Sequence, residues 1–262
     1  MNNSWGDFGP WVRQYPEHDV IRKAEELPLR RDMVTLIQYV HENKVIGTRS
    51  TGNMPLKAVR EVTARFVNPP KLDHRIGDRE YRLRSEEDVW PLYFLHILAE
   101  VGGLVVIEPA RRWWVTAGGV RFLRMGSLLQ VLFLLGVWWW GVNWLVAYPY
   151  EWIGEELPER FEQAALRRIL EFQVGERVLF EGFAEGLIED AGLKWQAKRD
   201  SWREFLRIAV KRMVVDTLAD FGVVEREYRE KALGRGTISK LVAFKVTPLG
   251  WVLLKEMAIA VS

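Results

Sequence analysis

The chain has 262 residues, 48% of them apolar and 27% charged, with a net charge of +2 and no cysteine. That balance belongs to a folded protein of one large or two small domains. It excludes disulfides, thiolate metal sites and cysteine nucleophiles, and it makes no electrostatic case for a strong polyanion binder.

The chain starts MNNSWGDFGPWVRQYPEHD, with no cationic segment followed by an apolar run. No secretory leader is expected, and the reading is cytoplasmic. Residues 1–29 are read as an N-terminal extension. From Pro28 to Asn43, Met33, Leu36, Ile37 and Val40 recur at helical spacing, with Asp32 as N-cap. KVIGTRSTGN then reads as a short strand and a turn, and Pro55 opens a helix with Leu56, Val59, Val62 and Phe66 inward. NPPKLDHRIGDREYRLRSEED is rich in proline and charge and is predicted to be loop. Ser85 and Asp88 have the spacing of a capping box, and the apolar helix after them stops at Gly102-Gly103.

Next come a strand (Leu104 to Ile107), a turn carrying Arg111 and Arg112, a return strand (Trp113 to Thr116), and a glycine pair. An apolar helix over 127–146 follows. Its core, LLQVLFLLGVWWWGVNWL, is about long enough to span a bilayer. Gln130 and Asn143 interrupt it, and its tryptophans sit mid-segment rather than at the ends, which favours a helix buried in protein. A membrane-tethered regulator is the alternative, and a membrane partner is not expected. Residues 149–157 are read as a linker.

The second half repeats helix, helix (Val178 to Ala191, closed by Gly192), and a long helix from Ser201 to Phe221 stopped by Gly222. A strand from Val223, a mobile loop, a return strand (Leu241 to Val246) and a final helix behind Thr247-Pro248-Leu249-Gly250 complete it. Its end copies the middle of the chain. LAEVGGLVVIE…RWWVTAGGVRFL and LADFGVVERE…LVAFKVTPLGWVLL both read helix, glycine stop, strand, hairpin, return strand ending Val-Thr, then x-x-Gly and a helix.

This double pattern resembles the winged-helix fold, in which the hairpin is the wing. VIGTRSTGNMPLKAVREVTARF resembles the start of a winged-helix module that recurs in uncharacterised bacterial proteins and beside some helicase domains. Thr48, Gly52, Asn53, Pro55 and Lys57 match its pattern, and Ile46-Gly47 replaces the usual apolar-Leu pair. The resemblance covers most of 30–145 and, more loosely, 158–258. It implies an α+β, mostly helical chain of two winged-helix-like units (30–148 and 158–262), each with a β-hairpin wing, plus the buried Trp-rich helix. Winged helices bind DNA, RNA or protein, so the resemblance alone does not choose among them.

Arg199, Arg203, Arg207 and Lys211 lie four apart and would run down one helix face, where they could neutralise phosphates. Glu204 and Asp200 offer the alternative of a balanced solvent face. Arg229, Lys231, Arg235 and Lys240 around the second hairpin, and Arg111 and Arg112 in the first, complete the expected nucleic-acid surface, with plain exposed turn residues as the alternative. The helix before the first wing carries no lysine or arginine, which argues against groove reading there. No catalytic residue, metal site or cofactor is expected: the four histidines are scattered and no phosphate loop occurs. Trp138, Trp139, Trp140 and Trp144 are the expected protein interface, for a partner or a second copy. The reading is thus a non-enzymatic, DNA-binding tandem winged-helix protein. A scaffold docking through the tryptophans is the alternative.

Overall fold

A computed structural model describes residues 17–76, 79–107, 110–147, 157–194, 202–233 and 236–259. The chain is α+β and mostly helical. It divides into two compact units: Glu25–Val142, and the part from Asn143 onward together with the chain up to Ala24. Helix α1 (Glu17–Glu26) leads in.

In the first unit, helix α2 (Pro28–Glu42) begins on a proline, whose fixed φ suits a first turn and whose missing N–H is no loss there. Met33, Leu36, Ile37 and Val40 all lie inward, as their spacing predicts. Asp32 is not the N-cap but lies inside this helix, where its carboxylate accepts the N–H of Val67 at 2.7 Å. Ile46 pairs with Arg112. Helix α3 (Leu56–Thr63) follows, and then a small hairpin, β1 (His74–Ile76) with β2 (Arg79–Tyr81), inside the stretch predicted to be loop. Strands of three residues are too short to show an alternation, and Asp73 closes the hairpin from outside by accepting from Leu83 N–H and Arg60. The Ser85–Asp88 pattern caps a 3-10 turn, Glu86–Asp88, and Asp88 accepts the N–H of Ser85 at 3.1 Å. Helix α4 (Trp90–Val101), strands β3 (Val105–Ile107) and β4 (Trp113–Val115), and helices α5 (Ala117–Phe122) and α6 (Ser127–Gly141) complete the unit.

Helix α6 is shorter than the 127–146 expected, and a 3-10 turn, Trp144–Ala147, follows it. Among the described residues no helix is long and apolar enough to cross a membrane. The glutamine that breaks its apolar run has both ends satisfied. Gln130 is 2% exposed, donates to Phe122 O at 2.8 Å and accepts from Arg30 at 2.9 Å.

The second unit holds α7 (Phe161–Leu170), β5 (Val178–Leu179), α8 (Phe180–Ala191) and α9 (Trp202–Val210). A π-helical segment, Lys211–Asp216, then runs into α10 (Thr217–Asp220). Strands β6 (Val224–Leu233) and β7 (Gly236–Val246) form a long antiparallel ribbon, and α11 (Pro248–Ile259) closes the unit. Strand β5 lies on β7, so the sheet order is β5-β7-β6. The linker expected at 149–157 falls mostly outside the described residues.

Both units hold a helix, a segment paired with the returning side of the ribbon, two further helices, the ribbon and a closing helix; in the first the pairing is the single Ile46–Arg112 bridge and the β1–β2 hairpin lies between the two helices, and in the second it is β5 on β7. The hydrogen bonds that join helix to ribbon match one for one. Gly103 (φ +63°) and Gly222 (φ +69°) end their helices in the left-handed conformation. Leu104 N–H then bonds to Ala99 O at 2.7 Å, and Val223 N–H to Leu218 O at 2.8 Å, the longer bond of a Schellman stop. Thr116 donates its hydroxyl to Gly103 O at 2.6 Å and accepts Gly119 N–H at 3.0 Å. Thr247 does the same with Gly222 O at 2.7 Å and Gly250 N–H at 2.8 Å. One hydroxyl so ties three parts of each junction together: the helix stop, the end of the ribbon and the next helix start. The hydrogen bonds place Ala99 opposite Leu218, not opposite Ala219. The shared Leu-Ala letters of the two segments are thus out of structural register by one residue.

The first unit also encloses a carboxyl group. Glu86 is fully buried and accepts Met54 N–H at 2.6 Å, with His96 Nδ1 at 2.8 Å. His96 packs on Trp113 at 4.3 Å between ring centroids, and the Trp113 indole donates to Gly52 O. The turn over 48–54 is fastened to α4 and β4 by these contacts.

Candidate nucleic-acid interface

The basic stripe of the second unit is occupied from within. Arg207 reaches Glu185 at 2.5 Å and Glu181 at 2.8 Å, both on α8. Arg203 lies 3.9 Å from Glu185 and 4.0 Å from Glu189. Two arginines thus face three carboxylates one helical turn apart, and the local balance is negative. Arg199 lies outside the described residues.

Lys211 is taken up by a carboxylate of its own chain segment, for a physical reason. In an α-helix, residues five apart sit about 140° apart around the axis and cannot meet. The π segment widens the turn, so Lys211 Nζ reaches the Asp216 carboxylate at 2.6 Å. Thr217 marks the same irregularity, its hydroxyl donating to Arg212 O five residues back. Asp216, 9% exposed, also accepts from Arg226 at 2.9 Å and from the Tyr228 hydroxyl at 3.4 Å, and Arg212 lies 3.8 Å away. Lys211 and Arg226 both flank the Tyr228 ring, 5.9 and 5.7 Å from its centroid. Asp220 is exposed at the residue level, yet the protein packed around its carboxyl pushes it up to about 6, with Arg226 pulling against and Asp216 adding to the rise.

That rise has a testable consequence for stability. Between the unfolded value of 3.8 and about 6, the folded chain holds a proton that the unfolded chain has lost, so stability falls as pH rises through this window. Asp220→Asn is expected to raise the melting temperature at about pH 7.5 and to leave it unchanged at about pH 3.5, read by thermal unfolding in a pH series. An equal gain at both pH values would mean that the carboxyl is not held protonated.

The ribbon carries the remaining cations. Arg229 and Lys240 stand directly opposite one another across β6 and β7. Both are exposed, and neither joins a carboxylate within ion-pair distance among the described residues. Like charges placed so are unfavourable in a hairpin that does nothing else. Further toward the sheet, Glu227 is held by Arg177 through two hydrogen bonds, at 2.6 and 2.8 Å, which keeps its carboxyl below the usual range. Arg235 lies outside the described residues.

The first unit is different. Arg112 lies over the Trp114 ring at 3.6 Å, and Arg111 adopts φ +60° at the turn. Helix α4 turns Leu92, Phe94, Leu95, Leu98 and Ala99 inward and presents no cation. Among the described residues no group of three or more metal-ligating side chains converges.

The tryptophan expectation needs correcting. Trp138, Trp139 and Trp144 are buried at 0%, 2% and 0%, and only Trp140, at 49%, reaches the surface. Successive helical residues are about 100° apart, so two neighbours can share the core and the third is turned away. Trp138 packs edge-on to Phe94, and Trp144 edge-on to Phe161. Those three are core residues, not an interface.

The residues that sequence reading passed over are Asp216, Arg226 and Tyr228. One signal was available: Asp216 interrupts the apolar run MVVDTLA, and a carboxylate there needs partners if it is buried. No family model, no curated protein and no solved structure matches this chain.

Proposed function

We propose that this chain is a tandem winged-helix protein that holds a nucleic-acid backbone on the ribbon of its second unit. The repeated order of helix, ribbon-paired segment, two helices and ribbon supports the winged-helix reading. The Arg229–Lys240 pair carries the functional one. These two cations face each other with no carboxylate within ion-pair distance among the described residues, while those of α9 are paired with α8 carboxylates. Phosphates supply the missing negative charge and release counterions when they bind. The first unit, with its cation-free α4, acts as a packing module rather than a groove reader. A net charge of +2 fits moderate, sequence-tolerant binding.

The test is a fluorescence-anisotropy titration of a labelled oligonucleotide at several salt concentrations. Arg229→Glu with Lys240→Glu is expected to weaken binding and to reduce the slope of log K against log salt by about 2. An unchanged slope in the double variant, or no binding of the wild type at low salt, would refute the reading.

A further inference from the structure

The Asp216 cluster has more cations than its carboxylates can use. Lys211, Arg212 and Arg226 bring three positive charges, against two carboxylates, Asp216 and Asp220. One positive charge remains when both acids are ionised. The balance is opposite in sign to that around Arg203 and Arg207, where three glutamates face two arginines. The hydrogen-bond count points the same way. Asp216 takes one N–H from Arg226, and a guanidinium has five to give. The side chain of Arg212 is 60% exposed and only grazes the carboxylate at 3.8 Å. Arg226, at 32%, is also open to solvent, whereas Asp216 beneath them is nearly closed off, at 12%. The arrangement is a layer of cation heads over a buried anchor, with the Tyr228 hydroxyl at its edge. The π segment supplies the anchor's geometry, and such irregular turns recur where function requires a placement that a regular helix cannot give.

We propose that Lys211, Arg212 and Arg226, gathered on Asp216 beside the Tyr228 hydroxyl, form a receptor for a single phosphate group. Two planar guanidinium forks and an ammonium suit its tetrahedral oxygens, and the residual positive charge suits its negative one. Asp216 is a positioning residue that orders the cations and competes with the ligand for them. The receptor rests on the nucleic-acid reading for the source of its phosphate, not for its existence.

The experiment is a titration of the full chain with inorganic phosphate at low ionic strength, followed by amide NMR or calorimetry. The wild type is expected to bind in the millimolar range, with Arg212→Ala weakening binding about fivefold. Arg212 is exposed, so this variant folds. Asp216→Asn, checked for folding by circular dichroism, is expected to tighten phosphate about tenfold by removing the competing charge. A merely structural ion-pair network predicts the reverse, a folded variant that binds less. Absent phosphate binding, an unchanged affinity in Arg212→Ala, or weaker binding by folded Asp216→Asn would each overturn the receptor.

Two further arms identify the source. An oligonucleotide displaced by inorganic phosphate and weakened by Arg212→Ala places a strand phosphate in the receptor. An oligonucleotide indifferent to both, beside phosphate binding that Arg212→Ala weakens, assigns the receptor to a free phosphorylated molecule. Arg229→Glu with Lys240→Glu is expected to release the oligonucleotide and leave inorganic phosphate bound. Loss of one binding without the other therefore shows which of the two proposals has failed.

Discussion

Gly250→Ala and Gly119→Ala are each expected to destabilise the protein by about 3 kcal/mol or more in urea unfolding. The reason is backbone against backbone. A methyl group at Gly250 would lie 2.1 Å from Val223 O and 2.6 Å from Val223 Cα, and one at Gly119 would lie 2.3 Å from Leu104 O. No rotamer change relieves such a contact, because the crowding atoms belong to the chain and not to the end of a side chain. Relief would require the following helix to move off the ribbon, breaking the threonine bonds at Gly119 N–H or Gly250 N–H. Two other glycines calibrate the effect. Gly103 has open space but φ +63°, so alanine there is expected to cost only about 1–2 kcal/mol. Gly136 lies in α6 with nothing within 4 Å, and alanine there is expected to stabilise by about 0.5–1 kcal/mol. If Gly250→Ala and Gly103→Ala cost the same, close approach is not what the sequence preserves at both junctions.

Glu86→Ala is expected to destabilise the first unit by about 3–5 kcal/mol. Glu86 is fully buried and satisfies two groups, Met54 N–H and His96 Nδ1. Removing the carboxylate leaves both without an acceptor and opens a cavity under the turn that leads into α3. His96 would lose the partner that orients it against Trp113. Glu86→Gln is the informative companion, since it keeps the volume and one acceptor oxygen. It is expected to recover part of the loss. Chemical unfolding monitored by tryptophan fluorescence reports both. A Glu86→Ala variant within 1 kcal/mol of the wild type would show that the buried contacts contribute little to stability.

Much of the fold was legible because its signals are local. The stripe Met33, Leu36, Ile37 and Val40 has one period and one meaning. The junctions were legible because Thr-x-x-Gly and a stopping glycine each demand a particular backbone, and the chain writes them twice. What escaped was whatever depends on partners distant in sequence. Arg203 and Arg207 look free until α8 is laid beside α9 and their charges are met by Glu181, Glu185 and Glu189. Lys211 looks as free as they do because a partner five residues on is out of reach in a regular helix, and the π segment that starts at Lys211 brings Asp216 to it. Asp216 carries no motif. It becomes a centre only when the ribbon returns Arg226 and Tyr228 to it. Of the three adjacent tryptophans, helical geometry buries two and turns Trp140 outside, so the interface expected of all of them narrows to one.

Nucleic acid is proposed to meet the second unit at its ribbon, with a strand phosphate at the Asp216 cluster. Amide chemical-shift mapping with a short oligonucleotide tests it most directly. Perturbations are expected to concentrate at 211–216, 224–230 and 239–241, with α4 and the β3–β4 hairpin silent. Shifts centred on α4, or on the Arg203–Arg207 face of α9 with the ribbon unmoved, would contradict it.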